Sequence, residues 1–188
     1  MMYGIDVSEH NGLINWNDIK DAGMQFAIIR CGYGLNEDTL FRENVYNANC
    51  TGLKCGAYHY GYALNPNQAF EEAKFVHDII TDSGCLLELP IFYDMEDTDG
   101  YKARRIDINK TNITEITETF INRLSLNYDV GLYASLDWLE TLIEWQKIGC
   151  SVWSAQWSSV DLFKGYMWQY TDSLNIKGKY YDGDILYL

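Results

Sequence analysis

The sequence predicts an α/β protein, a single domain built as an abbreviated barrel of the (β/α) kind. Three observations carry this. Short apolar runs alternate with helical patterns through the first two-thirds of the chain, the signature of a parallel sheet covered by helices. The last third holds short strands without long helices between them. Eight strand candidates must fit in 188 residues, where a full (β/α)₈ barrel takes about 250.

The strands are expected at Tyr3–Val7, Gln25–Cys31, Lys54–Tyr60, Pro90–Met95, Val130–Ala134, Ser151–Gln156, Tyr166–Tyr170 and Asp184–Tyr187. After the third, Asn65 precedes Pro66, and Gln68 follows three residues on. That is a helix start with a cap, a first-turn proline and a capping partner. Phe70, Ala73, Val76 and Ile80 then recur at helical spacing. A second helix is expected to begin near Asn112 with Glu115 as cap partner and Ile113, Ile116, Phe120 and Leu124 as its inner stripe.

The sharpest chemical signal is Asp94-Met95-Glu96, at the end of the apolar run Pro90-Ile91-Phe92-Tyr93. Residues i and i+2 of a strand face the same way, roughly 6–7 Å apart. Two acids facing one space repel each other's charge, so one carboxyl keeps its proton, and a neutral acid beside a carboxylate is what glycoside hydrolysis needs. Barrel chemistry sits at the C-terminal ends of strands. Asp6 ends the first strand, Asp94 and Glu96 the fourth, while Asp182 and Asp184 lie at the start of the last. If the barrel closes, first and last strands become neighbours and these acids converge on one mouth. An acid at a strand's beginning fits this poorly, because it belongs at the opposite end.

Composition excludes several classes. With 14 basic against 27 acidic residues the formal charge is −13, against nucleic-acid binding, which needs Lys and Arg for phosphates. The one dense basic run, Lys102-Ala103-Arg104-Arg105, reads as a solvated loop. No apolar run approaches the 18 or more residues of a membrane span, and no signal peptide is visible ahead of the first strand. Five cysteines without a C-x-x-C pair argue for reduced thiols and against structural zinc, with Cys50–Cys55 the one conceivable bridge. No metal or other cofactor is expected. The acidic stretch after Asp94 fails the EF-hand pattern, since with Asp97, Asp99 and Gly100 in register the first ligand is Met95 and the twelfth Ile106. His10, His59 and His77 share no ligand spacing, and His59 reads as a hydrogen-bonded barrel residue.

In order along the chain stand Gly4-Ile5-Asp6-Val7-Ser8, Asn11-Gly12, Phe26-Ala27-Ile28-Ile29-Arg30, Gly32-Tyr33-Gly34, Gly56-Ala57-Tyr58-His59-Tyr60, Tyr93-Asp94-Met95-Glu96, Gly131-Leu132-Tyr133, Ala155-Gln156-Trp157 and Trp168-Gln169-Tyr170-Thr171. Their order and spacing resemble the family 25 glycoside hydrolases, the 1,4-β-N-acetylmuramidases or lysozymes, over nearly the whole chain. The resemblance implies a flattened (β/α)₅β₃ barrel and hydrolysis of the β-1,4 bond from N-acetylmuramic acid to N-acetylglucosamine in peptidoglycan. By position it makes Glu96 the general acid, Asp94 its partner and Asp6 the first-strand acid. The last acid falls on Asp184, with Asp182 the alternative. Retention of configuration is implied, by a carboxylate nucleophile or by the substrate's own N-acetyl group oriented by Asp94. Tyr33, Tyr60, Tyr133, Trp157 and Trp168 are the sugar-platform candidates, with Gln156 beside them.

The resemblance also implies peptidoglycan glycan strands as partner, a monomer, and action outside the cell or at the wall, with cytoplasmic storage before release, as for a phage lysin, as one route. Residues 1–188 read as one catalytic domain with no wall-binding module. A non-catalytic glycan-binding domain on this scaffold and a chitinase-like hydrolase are the competing readings.

Overall fold

A computed structural model describes residues 1–187. Strands β1 (Met2–Val7), β2 (Phe26–Tyr33), β4 (Lys54–Tyr60), β5 (Ile91–Asp94), β6 (Val130–Ser135), β7 (Ser151–Ala155), β8 (Met167–Ile176) and β9 (Lys179–Leu186) form a closed barrel, and β3 (Asn36–Glu37) is a short flap on β2. Each neighbouring pair from β1 to β8 is parallel. β9 runs antiparallel to both β8 and β1 and closes the ring. Helices α1 (Trp16–Asp21), α2 (Phe41–Cys50), α3 (Pro66–Ser83) and α4 (Lys110–Leu124) follow the early strands. Only the short α5 (Leu136–Thr141) and α6 (Trp145–Ile148) lie between β6 and β7. This is the expected five-then-three arrangement.

The last two strands are longer than their apolar runs. They form one hairpin, turning at Lys177 and Gly178, whose φ values of 50° and 86° give the turn the twist that suits antiparallel strands. Their polar outer halves are solvated on one face, so hydrophobicity marks only the inner ends. Asp184 consequently lies well inside β9 and not at its start.

Period-two alternation sorts the strand residues into two layers. Met2, Phe26, Ile28, Phe92, Trp153, Met167 and Leu186 fill the barrel. Ile5, Val7, Ala27, Ile29, Ala57, Ile91, Tyr93 and Leu132 face outward under the helices. The interior is full. A Cβ on Gly131 would lie 2.6 Å from the Phe92 ring and 2.8 Å from the Ser151 carbonyl oxygen. Gly131→Ala is therefore expected to cost about 1–3 kcal/mol by overpacking, read as a lower midpoint in urea. An unchanged midpoint would show that the barrel interior yields.

Helix α3 starts as expected, with Asn65 Oδ1 accepting from Gln68 N at 3.0 Å, although Gln68 Oε1 takes the N–H of Leu64 at 2.7 Å and not that of the cap. Its inner stripe is Ala69, Ala73, Val76 and Ile80. Phe70 is exposed, covered by Lys74 and Arg123 over its ring. Helix α4 begins earlier than expected, capped by Asn109 on Asn112 N at 3.0 Å, and Glu115 takes no part in the cap. Its stripe Ile113, Ile116, Phe120 and Leu124 is buried. The cysteines are all unpaired, Cys50 and Cys55 included. No described helix is long and apolar enough to cross a membrane.

Candidate active site

Asp6 of β1, Asp94 at the end of β5, Glu96 two residues beyond it and Asp182 of β9 line one cavity of about 130 Å³, walled by Tyr58, Tyr60, Tyr133, Trp153 and Gln169. Antiparallel β9 makes this possible. Its early residues stand at the rim where the other strands place their late ones, so Asp182 sits opposite Asp6 in register. Asp184 pairs with Gly4, one inward position deeper. It is fully buried, with Trp153 Nε1 donating to its Oδ1 at 2.9 Å, and lies beneath Asp6 and off the cavity wall.

Burial dominates the electrostatics. It raises the Asp94 carboxyl well above the usual range, with the Glu96 charge adding to it, and Asp94 Oδ1 has no hydrogen-bond partner among the described residues. Burial also raises Glu96, against the Thr98 hydroxyl, which donates to its Oε1 at 3.1 Å, and the Lys102 charge. Asp94 is the deeper of the two acids, and the Glu96 charge is the second cause of its rise, whereas burial leads for Glu96. Asp6 is pushed up to about 8 by burial and then by Asp182, and Asp182 to about 6 by burial and Asp172. Burial and the Asp6 charge raise Asp184 well above its ordinary value.

These shifts have a stability consequence. A carboxyl whose folded pKa is raised holds a proton that the unfolded chain releases between the two values. Its contribution is complete below about pH 4 and is lost as pH rises through the folded pKa. For Asp6 the window runs from its ordinary 3.8 to about 8, with a slope of at most about 1.4 kcal/mol per pH unit for each such proton. Asp6→Asn is expected to flatten the fall in urea stability between pH 5 and pH 8. Parallel curves for variant and wild type would refute the assignment.

Gln169 ties the wall together. Its Oε1 accepts from Tyr133 Oη and Trp157 Nε1, each at 3.1 Å, and its Nε2 donates to Asp6 Oδ2 at 2.8 Å. Of the platform candidates, Tyr60 and Tyr133 line the acid cavity. Trp157 is 63 % exposed above it. Tyr33 stands further along, where a cavity of about 400 Å³ with Arg30, Tyr60 and Tyr62 meets one of about 640 Å³ with Leu35 and Tyr101. Tyr60 lines both the acid cavity and the second, and Tyr33 and Tyr62 line both the second and the third, with the acids in the smallest of the three. Trp168 and Gln156 turn away from it. Trp168 Nε1 donates to the Gln156 carbonyl, and the Gln156 side chain clamps Asp161 and Leu162 N of the β7–β8 loop.

Two expectations fail here. The basic run is exposed at Ala103, Arg104 and Arg105 as expected, but Lys102 is 1 % exposed, with its ammonium on the carbonyls of Gly61 and Glu96. Charge runs mark solvated faces only while no loop folds over them, and Asp97 folds this one by accepting from Lys102 N and Ala103 N. His59 makes no hydrogen bond among the described residues. It faces outward from β4, 5.6 Å from the Phe120 ring and 6.4 Å from that of Tyr93, with Nε2 3.7 Å from Glu72.

The model of the glycosyl hydrolases family 25 matches residues 5–179. The chain belongs to that family. Lysozyme M1 of Streptomyces globisporus is 30 % identical over 194 residues, covering 93 % of this chain and 63 % of that protein. The autolytic lysozyme of Clostridium acetobutylicum is 28 % identical, covering 94 % and 52 %. The solved structure of the modular autolysin LytC of Streptococcus pneumoniae, in complex with a synthetic peptidoglycan ligand, superposes with a TM-score of 0.89 at 27 % identity, over 99 % of this chain and 46 % of LytC. The chain thus spans about half to three-fifths of the length of these family 25 relatives.

Within this family 25 fold, sequence reasoning passed over Tyr58, Trp153 and Gln169. The signal that finds them is strand parity, since each shares the inward face with an acid or a barrel-filling residue of its own or the adjoining strand. Lys102 had no such signal.

Proposed function

We propose that this domain hydrolyses the β-1,4 bond between N-acetylmuramic acid and N-acetylglucosamine in peptidoglycan, acting at the bacterial wall. The observation that carries the reading is the meeting of Asp6, Asp94, Glu96 and Asp182 in one aromatic-walled cavity, with two larger cavities beside it across Tyr60 and Tyr62. It is supported by membership of a family whose curated relatives carry the name lysozyme.

Glu96 is the general acid. It is the least buried of the three acids from β1 and β5 and their ends, so it reaches the glycosidic oxygen, and burial favours its neutral form. Its proton passes to the leaving oxygen as the anomeric C–O bond breaks. The sugar ring gains oxocarbenium character, and the anionic charge of the remaining carboxylates faces it. Asp94 then orients the substrate's N-acetyl group, whose oxygen attacks the anomeric carbon. Water afterwards opens that intermediate, with Glu96 taking the proton, and two inversions give net retention. Attack by a carboxylate is the second route. Gln169 holds Asp6 and, through Trp157, the aromatic rim.

Activity is expected to fall on the alkaline side as Glu96 loses its proton. Mass spectrometry of digested, purified peptidoglycan tests the reading. New reducing ends on N-acetylmuramic acid are expected. Reducing ends on N-acetylglucosamine, or cleavage of chitin alone, would point to the chitinase-like reading, and binding without products to a glycan-binding domain.

A further inference from the structure

The segment after Glu96 is held by its own side chains. Asp97 caps Lys102 N and Ala103 N, Asp99 accepts from Tyr101 N and Tyr62 Oη, and Thr98 reaches Tyr60 Oη at 3.1 Å. This folding drives Lys102 inward until it is 1 % exposed. A buried lysine usually meets a carboxylate. Lys102 has no carboxylate oxygen within 4.0 Å among the described residues. Its ammonium donates instead to two backbone carbonyls, those of Gly61 and, at 2.6 Å, Glu96, with the Tyr60 and Tyr62 rings 5.6 and 5.9 Å away.

We propose that Lys102 is a positioning residue for the reaction: its ammonium ties the Glu96 backbone to the loop after β4 and keeps a fixed positive charge behind the Asp94–Glu96 pair. This rests on the role of Glu96 proposed above. The geometry suits the task. Gly61 follows the last residue of β4 and Glu96 lies two past the end of β5, so one cation joins two walls of the acid cavity. A compact ammonium with three donors serves two converging carbonyls from one point.

The groups facing Lys102 are Asp94 from β5, Glu72 from α3, Asp97 and Glu96 from its own loop, and the rings of Tyr60 and Tyr62 after β4. Burial lowers its pKa, and those four acids, Asp94 first, raise it again. In return its charge lowers both Asp94 and Glu96. Without it both carboxyls hold protons to higher pH, and the anion facing the transition state is lost.

Lys102→Met and Lys102→Gln test this in the whole chain. Gln keeps a donor for the carbonyls and removes the charge. Both are expected to lower kcat by about tenfold to a hundredfold with KM little changed. Both should move the alkaline limb of kcat and the carbon-13 carboxyl titration of Glu96 up by about one unit, and Gln should keep a melting temperature nearer the wild type. The NMR titration does not depend on which reaction occurs. If it shifts while Glu96→Gln stays fully active, Lys102 governs the Glu96 carboxyl but the proposed role of Glu96 fails, and the positioning assignment falls with it. A folded variant with unchanged Glu96 titration and kcat overturns the assignment. So does failure of both variants to fold, which would make Lys102 a folding residue.

Discussion

Glu96→Gln is expected to lower kcat on peptidoglycan by about a hundredfold to ten-thousandfold, the range that a positioned general acid contributes, with KM changed little. The amide keeps the shape of the carboxylic acid and can accept from Thr98 Oγ1, which donates to Glu96 Oε1 at 3.1 Å. It cannot give up a proton at any accessible pH. The loss is therefore expected on the chemical step, where the leaving oxygen must be protonated, and not on binding, for which Tyr60, Tyr62 and Tyr33 are the proposed surface. The alkaline limb of the pH profile should vanish with the proton that caused it. Activated substrates narrow the deficit. An aryl glycoside whose leaving group needs no proton should release that group in the first turnover at nearly the wild-type rate, while steady turnover stays slow because the variant also lacks the base that takes the proton from water. Wild-type clearing of wall suspensions by Glu96→Gln would remove Glu96 from the mechanism.

Asp94→Asn carries the second large effect, and its sign differs between activity and stability. Asp94 is buried, with Oδ1 unpartnered among the described residues and its carboxyl pushed up by burial and by Glu96. At neutral pH that carboxyl disfavours the folded state, because ionising it in place is costly and keeping it neutral means taking up a proton that the unfolded chain does not hold. Asparagine removes both costs. The variant should be about as stable as wild type below pH 4 and increasingly more stable up to pH 8. Activity should fall by about a hundredfold or more, since a neutral amide cannot place negative charge against the N-acetyl group as it attacks. Active sites hold such strained groups at a cost in stability. Urea midpoints at the two pH values and kcat on peptidoglycan read both effects. A variant that is less stable at pH 8, or fully active, would contradict this account of Asp94.

Much of this was legible before any coordinates. The β-α alternation, the five-then-three strand count and the Asn65–Pro66 helix start are local matters of period and capping, and they appear where the residues put them. The fourth acid was not legible. A strand whose outer half is polar hides its own start, so Asp184 read as the first residue of β9 when Lys179 is. The resemblance put the last acid on Asp184 with Asp182 as the alternative; the cavity wall holds Asp182, and Asp184 lies one inward step deeper. Phe70 misled in a similar way, since an aromatic ring invites a place on the buried stripe while the 3.6-residue period gives that place to Ala69.

The chain's own order of residues determined that two acids would share one face at the end of a buried strand, because side-chain direction along a strand alternates whatever surrounds it. Only the tertiary structure decided which other groups join them. Closing the barrel with an antiparallel strand sets Asp182 opposite Asp6, and folding the loop after Glu96 buries Lys102 against two carbonyls. The same closure determines how deep each carboxyl lies. Depth sets the energy of its charge, and hence which acid holds a proton, and neither is written in the order of residues along the chain.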